Sequence, residues 1–256
     1  ISELVCVACV PERPVACDEK PGKISDMLKA LFKNDQAMTV VVSIILVYTS
    51  LNICGNLVLY FFRFDVGNEG AYSIFAAVAF AAQVLVMMVI PLLRKRFSKS
   101  QLFISGFIIQ IAGFAVILIM AFAKLYTPQS WYILCLPGIL IYLGYGMLNV
   151  IMTIFLSDSV DYGEVMNGTR EESVIFSMQT FTVKLASGVA VFLAGLVVDW
   201  IHLDTAAAVQ TQDTLDALRM WMTIPSVILL IVGIFVFKRF YKLDDTRMEE
   251  IKSKLN

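Results

Sequence analysis

The chain has 256 residues, of which 59% are hydrophobic and 16% are charged, and its formal net charge at pH 7 is −1. Soluble domains typically carry about 45–50% apolar and about 25% charged residues, so this composition excludes an ordinary soluble domain. A near-neutral net charge without a basic stripe gives no indication of nucleic-acid binding.

The apolar residues are concentrated in runs that reach about 20 residues, the length that crosses the hydrocarbon core of a bilayer as a helix. They lack the alternation of polar and apolar residues that is typical of outer-membrane strands. We therefore predict an all-α membrane protein with a six-helix transmembrane bundle over residues 38–240. The six predicted spans are 38–62, 71–93, 102–123, 131–156, 174–198 and 218–237.

The segments on either side of the bundle are polar. Residues 1–37 contain three prolines and one glycine, followed by apolar residues at helical spacing, which predicts a short amphipathic helix at the cytoplasmic interface. Residues 241–256 are predicted to be a cytoplasmic C-terminal tail. The first ten residues are apolar but too short to span a bilayer, and no initiator methionine precedes them, so we expect the chain to be a fragment.

The lysine and arginine residues fall mainly on one side of the predicted membrane. With six spans, sixteen of them lie in the termini and the alternate loops of one side, and three lie on the other side. The positive-inside rule then predicts that both termini are cytoplasmic. We expect a multi-pass protein of the plasma (cell inner) membrane.

Lys184 lies within the apolar run 174–198, which carries no other charge before Asp199. A charged side chain at the centre of a bilayer costs about 2.5–3.5 kcal/mol on insertion scales. Lys184 is about 15 Å from the start of its span, so its ammonium group cannot easily reach either surface. We interpret it as lining a cavity and pairing with a carboxylate or a substrate hydroxyl. The alternative is a structural lysine bound to backbone carbonyls.

Further polar residues are predicted to line the same cavity. On the fifth span, Ser177 and Thr180 share one helix face with Lys184, and Gln179 lies to the side. The other predicted cavity residues are Asn52 and Asn56 on the first span and Tyr145 and Asn149 on the fourth. Amide side chains both donate and accept hydrogen bonds, which suits polyhydroxylated ligands. Interhelical hydrogen bonding, worth about 0.6 kcal/mol on average, is the alternative reading of the three asparagines.

The patterns Tyr48-x-x-x-Asn52-x-x-x-Asn56 and Tyr145-x-x-x-Asn149-x-x-x-Thr153 are similar to each other. They lie on the first and fourth spans, as an inverted repeat of three helices each would require. A chance match of three positions is the alternative.

An acidic motif follows the fourth span. Asp158 and Asp161 are three residues apart, which places them on one face of the last turn of the fourth helix. Tyr162 and Glu164 follow, and Arg170 lies beyond Gly168. We predict a cytoplasmic gate in which the carboxylates pair with the arginine. A solvated acidic turn is the alternative.

These residues resemble a known family. Asp158-x-x-Asp161-Tyr162-Gly163-Glu164, Gly168-x-Arg170 and Ser177-x-Gln179-Thr180-x-x-x-Lys184 are similar to motifs of the glycoside–pentoside–hexuronide:cation symporters, the melibiose permease-like group of the major facilitator superfamily. The resemblance implies that the chain is the C-terminal half of a twelve-helix permease that transports sugars by alternating access. It also implies that Lys184 matches the family's lysine that links the sugar and cation sites, with Thr180 in the same cavity.

The resemblance also implies the partners. They are a small-molecule sugar, the lipid bilayer and the N-terminal six-helix half of the same permease. No cofactor is expected. A coupling cation, Na⁺ or H⁺, is expected, with its ligands mostly in the N-terminal half.

Two other classes of function are alternatives. One is a permease-derived membrane scaffold or regulator that transports nothing. The other is an intramembrane enzyme, for which the sequence offers only Asp158 and Asp161 as a conceivable acid/base pair. We predict no enzyme activity, no catalytic residues and no metal ligands, because no catalytic pair, metal-ligand cluster or phosphate loop is evident.

Overall fold

A computed structural model describes residues 32–168, 172–207 and 209–255. The amphipathic helix predicted within residues 1–37 lies almost entirely outside these ranges. In chain order, the helices of the described residues are α1 (Asp35–Tyr60), α2 (Ala71–Leu93), α3 (Lys99–Phe122), α4 (Cys135–Asn167), α5 (Glu172–Trp200), α6 (Gln212–Phe240) and α7 (Asp245–Leu255). A π-helical turn, Phe61–Asp65, continues α1, and a 3₁₀ turn, Trp131–Leu134, precedes α4.

Helices α1 to α6 are each long and apolar enough to cross a membrane, and no strand occurs in the described residues. The all-α membrane fold class is thereby confirmed. Successive helices run in opposite directions. We call the end of the bundle that holds Asp35 and Phe240 the proximal end, and the end that holds Asp65 and Arg219 the distal end.

Five of the six observed helices are longer than their predicted spans, and α2 has the predicted bounds 71–93. Helix α4 continues to Asn167 instead of stopping near residue 156, and α6 begins at Gln212 rather than at residue 218. Hydropathy reports only the part of a helix that lies in hydrocarbon, whereas backbone hydrogen bonding continues into polar sequence. Helix α4 ends at Gly168, whose φ of 73° is the left-handed conformation that glycine adopts readily.

Glycine residues allow α3 and α4 to pack closely. A Cβ atom on Gly144 would lie 2.6 Å from the carbonyl oxygen of Gly106, and one on Gly113 would lie 2.7 Å from the amide nitrogen of Ile141. Helices in lipid gain little from the hydrophobic effect, so their association depends on such close contacts. Buried phenylalanines fill the rest of this core: Phe61, Phe62, Phe103, Phe107, Phe114 and Phe155.

The C-terminal segment, predicted only as a tail, forms α7, which packs on the proximal end of the bundle. Its apolar residues Leu243, Met248 and Ile251 are buried against Tyr162 and Tyr241. The helix is therefore docked on the end of α4.

Replacing Gly144 with alanine should destabilise the bundle. Alanine normally favours a helix over glycine by about 1 kcal/mol, but here its methyl group would press on the backbone of α3, and overpacking typically costs about 1–3 kcal/mol. The midpoint of thermal unfolding in detergent should fall. Gly195→Ala is the matched control, because nothing lies within 4 Å of a Cβ at that helical glycine. Equal midpoints for the two variants would contradict this packing.

Candidate functional site

Two polar patterns predicted from the sequence meet at the interface of α1 and α4. The amide nitrogen of Asn149 donates a hydrogen bond to the hydroxyl of Tyr48. The rings of Tyr48 and Tyr145 pack edge to face, with centroids 5.5 Å apart. The first residue of one pattern is therefore bonded to the middle residue of the other, which fixes the two helices against each other at mid-span.

The remaining amides of α1 lie along the same helix at steps of one turn. Asn52 donates to the carbonyl oxygen of Tyr48, and Asn56 donates to that of Asn52, both at 2.7 Å. Both side chains are half-buried. A carboxamide that uses one N–H in this way keeps its oxygen and its second N–H for another partner. Asn52 and Asn56 can therefore still bind a ligand.

Helix α5 presents an exposed polar stripe. Ser177, Thr180 and Lys184 are exposed, and Gln179 is half-buried. The opposite face of α5 is buried and consists largely of small residues: Ile175, Thr182, Ala186, Ala190, Ala194 and Val197. A third face carries exposed apolar residues, among them Phe181, Leu185 and Phe192. The polar stripe therefore lies away from the packing face and borders the exposed apolar residues.

Lys184 has no ion pair or hydrogen bond to any side chain or carbonyl within the described ranges 32–168, 172–207 and 209–255. It is not enclosed by aliphatic neighbours either, because its side chain is exposed. The described residues also show no hydrogen bond between the α5 stripe and the polar residues of α1 and α4. The chain thus leaves a cationic group at mid-span open to water or to a further partner.

The acidic motif lies within α4, which places Asp158 and Asp161 on the fourth helix as predicted and continues beyond them to Asn167. Asp158 is buried and forms an ion pair with Lys99, the first residue of α3. Asp161, Tyr162 and Glu164 follow on the last turns of α4. Arg170 lies outside the described residues, so its pairing with the carboxylates stays a prediction. The observed partner of Asp158 belongs to the same six-helix bundle.

Lys99 also connects α4 to the C-terminal helix. Its ammonium nitrogen lies 3.4 Å from a carboxylate oxygen of Asp245, the first residue of α7, and Arg94 approaches the same oxygen at 3.4 Å. Sequence reasoning missed Lys99 because the basic residues around it were explained by the positive-inside rule alone. The available signal was its position directly after the capping residue Ser98, at the same end of the bundle as Asp158.

A cavity of about 440 Å³ opens between the end of α4 and α7, and its lining includes Tyr162, Lys242, Arg247 and Glu250. The cavity lies at the proximal end, whereas Lys184 lies at mid-span on α5. The polar face at mid-span is an open surface of the described chain. Such a face becomes an enclosed site only when another surface covers it.

Comparisons with known proteins identify the family. The sequence profile described as MFS/sugar transport protein matches residues 5–245. The chain therefore belongs to this family of membrane transporters, which confirms the resemblance found in the sequence and the expectation that it is not an enzyme.

Three relatives show what the chain is similar to. It is 25% identical to the uncharacterized symporter YjmB of Bacillus subtilis over 98% of the chain and 54% of that relative. It is 22% identical to the raffinose carrier protein of Pediococcus pentosaceus over 91% of the chain and 35% of the relative. It is 25% identical to the isoprimeverose transporter of Lactiplantibacillus pentosus over 88% of the chain and 46% of the relative. The chain spans about half the length, or less, of these relatives.

The ion pairs of Asp245 should hold α7 on the bundle. An ion pair with a part-exposed carboxylate contributes about 0.2–1 kcal/mol, and Asp245 has two cationic neighbours. Asp245→Asn should therefore speed tryptic cleavage at Arg247 several-fold at pH 7.5. Glu249→Gln, which neutralises an exposed carboxylate of the same helix, should leave the cleavage rate unchanged. Equal rates in the two variants would contradict the role of Asp245.

The same pairs should make the docking of α7 depend on pH. Burial by itself would raise the pKa of the Asp245 carboxyl, but Lys99 and Arg94 hold that pKa below its ordinary value. A carboxyl whose pKa is lower in the folded state adds stability above its unfolded pKa of about 3.9, and this stability is lost as pH falls through the folded value. Protection of the α7 amides from hydrogen exchange should hold from pH 8 to about 5 and decline below about 4. A D245N profile identical to that of the wild type would argue against this linkage.

Proposed function

We propose that the complete protein is a sugar:cation symporter that works by alternating access. The supporting observation is Lys184, an exposed cation at mid-span on a stripe of hydroxyl side chains, with no partner in the described residues. A charged group facing hydrocarbon is costly, so a place beside a water-filled solute route explains both its depth and its exposure. Membership of a sugar-transporter family supports a sugar as the solute.

The proposed binding surface consists of the α5 stripe (Ser177, Gln179, Thr180, Lys184) and the mid-span residues of α1 and α4 (Asn52, Asn56, Tyr145, Asn149). Hydroxyl, amide and ammonium groups supply donors and acceptors in the combination that a polyhydroxylated ligand needs. Since raffinose and isoprimeverose appear in the names of two relatives, we propose a glycoside as the substrate class.

The polar face needs a second surface to become a site. We propose that an N-terminal six-helix half of the same permease covers it, and that rocking of the two halves opens the site to each side in turn. A carboxylate from that half would pair with Lys184. Competition of Na⁺ or H⁺ and of the sugar for this carboxylate would couple their movements.

We propose that the protein lies in the plasma (cell inner) membrane with the proximal end in the cytoplasm. The excess of lysine and arginine at the termini and in the loop between α2 and α3 supports this orientation. The ion pairs of Lys99 and Arg94 with the α7 carboxylate Asp245 would then lie at the cytoplasmic surface.

Replacing Lys184 with glutamine should abolish concentrative uptake by the complete protein, because the ammonium group that links the two ligands is lost. Uptake of labelled raffinose, isoprimeverose and simpler glycosides is measured in vesicles with and without an inward Na⁺ or H⁺ gradient. We expect at least about a tenfold loss of gradient-driven accumulation. The control Lys95→Gln removes an exposed lysine from the loop between α2 and α3 and should retain uptake.

Two results would contradict the proposal. Wild-type protein that accumulates no glycoside under either gradient would argue against sugar symport. Lys184→Gln protein that accumulates sugar as the wild type does would remove Lys184 from the coupling.

A further inference from the structure

Helices α1 and α6 are joined by polar contacts at three heights. At the proximal end, the Gln36 side chain donates to the carbonyl oxygen of Phe240, the last residue of α6, at 3.4 Å, and accepts from the amide of Lys242 just beyond it at 2.8 Å. At mid-span, Ser50 and Ser226 each donate to the other's carbonyl oxygen, at 3.0 and 2.8 Å. At the distal end, Asp65 and Arg219 form an ion pair. The helix that carries Tyr48, Asn52 and Asn56 is thus tied to α6 along its whole length.

The distal contact between α1 and α6 is an ion pair between Asp65 and Arg219. The guanidinium of Arg219 binds both carboxylate oxygens of Asp65, through Nε at 2.8 Å and Nη2 at 2.5 Å. The side chains are only 3% and 4% exposed. The Tyr126 hydroxyl, from the loop between α3 and α4, donates to Asp65 at 2.5 Å, and Asp216 accepts from Nη1 of Arg219 at 2.7 Å. We call Asp65, Tyr126 and Arg219 the distal clamp.

The distal clamp is fully hydrogen-bonded at its centre. Burial and the neighbouring Asp65 raise the pKa of Tyr126 above its ordinary value, so its hydroxyl keeps the proton that it donates. A bidentate pair fixes the orientation as well as the distance of its two groups. The clamp therefore specifies how the end of α1 faces α6.

Asp65 reaches Arg219 from the π-helical turn Phe61–Asp65. Such turns are rare, are mostly single turns in α-helices and often lie at functional sites. A π turn contains one residue more than a regular turn would, which changes the direction in which the following side chains point. The bond to Arg219 holds this irregular turn in place.

We propose that Asp65, Tyr126 and Arg219 are positioning residues for transport. Through the distal clamp they hold α1 in the rotation that presents Asn52 and Asn56 to the substrate. Asn56 lies nine residues before Asp65, or about 13 Å along the helix, so the clamp acts on substrate affinity without touching the substrate. This inference rests on the proposed sugar transport.

The test uses the complete protein and three variants: Asp65→Asn, Arg219→Gln and the double variant D65N/R219Q. Arg219→Gln leaves the buried Asp65 carboxylate without its cationic partner, and Asp65→Asn leaves Arg219 only its contact with the part-exposed Asp216. Breaking a buried pair in this way strongly disturbs a site, whereas removing both charges is far better tolerated. We expect each single variant to raise the KM for a transported glycoside about tenfold. The double variant should recover most of the wild-type affinity.

A second readout reports the position of α1 without transport. Asn56→Cys, in protein whose other cysteines are alanine, is labelled with a hydrophilic thiol reagent in each background. The single variants should change the labelling rate at least about threefold, and the double variant should restore it. Ser177→Cys on α5 is the matched control, because α5 is not part of the clamp, and its rate should stay constant.

The outcomes separate the possible roles. If the single variants lower the amount or thermal stability of the protein but leave KM and labelling at position 56 unchanged, the clamp is only structural and the inference is wrong. If the single variants do not reach the membrane, Tyr126→Phe, which keeps the ion pair, is the test. A KM raised at least twofold supports the inference, and an unchanged KM contradicts it. If the wild type transports no glycoside, sugar transport fails as a function, and the labelling at position 56 alone decides on the clamp.

Discussion

Hydrocarbon tolerates a cation only when an anion or water accompanies it, and this constraint organises the molecule. In the described part of the chain, two cationic side chains are buried, Lys99 and Arg219, and both have carboxylate partners, Asp158 and Asp65. Lys184 is different: it lies at mid-span, is exposed and has no partner in the same residues. The ion pairs of Lys99 and Arg219 lie at the two ends of the bundle. At mid-span, the ammonium group of Lys184 still needs an anion or water beside it.

The helices of the bundle differ in how they are held together. Polar contacts join α1 to α6 at three heights, α1 to α4 at Tyr48 and Asn149, and α3 to α4 at Lys99 and Asp158. Helix α5 packs mainly through small aliphatic residues. In the described residues no hydrogen bond from its membrane-spanning side chains reaches another helix. The proposed lysine of the transport site is therefore carried by the helix whose packing is least directional.

The class of protein and the location of its polar residues could be predicted from the sequence. Apolar runs report directly on hydrocarbon length, and an intramembrane lysine is conspicuous because few charges accompany it. Tyr48 and Asn149 belong to two similar patterns in the sequence, but their contact was not predicted, because steps of four residues do not show which helices pack together. The length of α4 could not be predicted, because hydropathy ends where the helix leaves lipid. The partners of Asp158 and Asp65 were missed because both pairs join residues far apart in sequence.

The central claim is that the α5 stripe faces a solute route rather than lipid, and thiol accessibility tests it most directly. In the complete protein, cysteine at position 184 is compared with cysteine at position 185, whose leucine belongs to the exposed apolar face. We expect a membrane-impermeant, hydrophilic reagent to label position 184, a transported glycoside to slow this labelling, and position 185 to react only with a lipid-soluble reagent. Reaction of position 184 with the lipid-soluble reagent alone, unaffected by sugar, would contradict this claim.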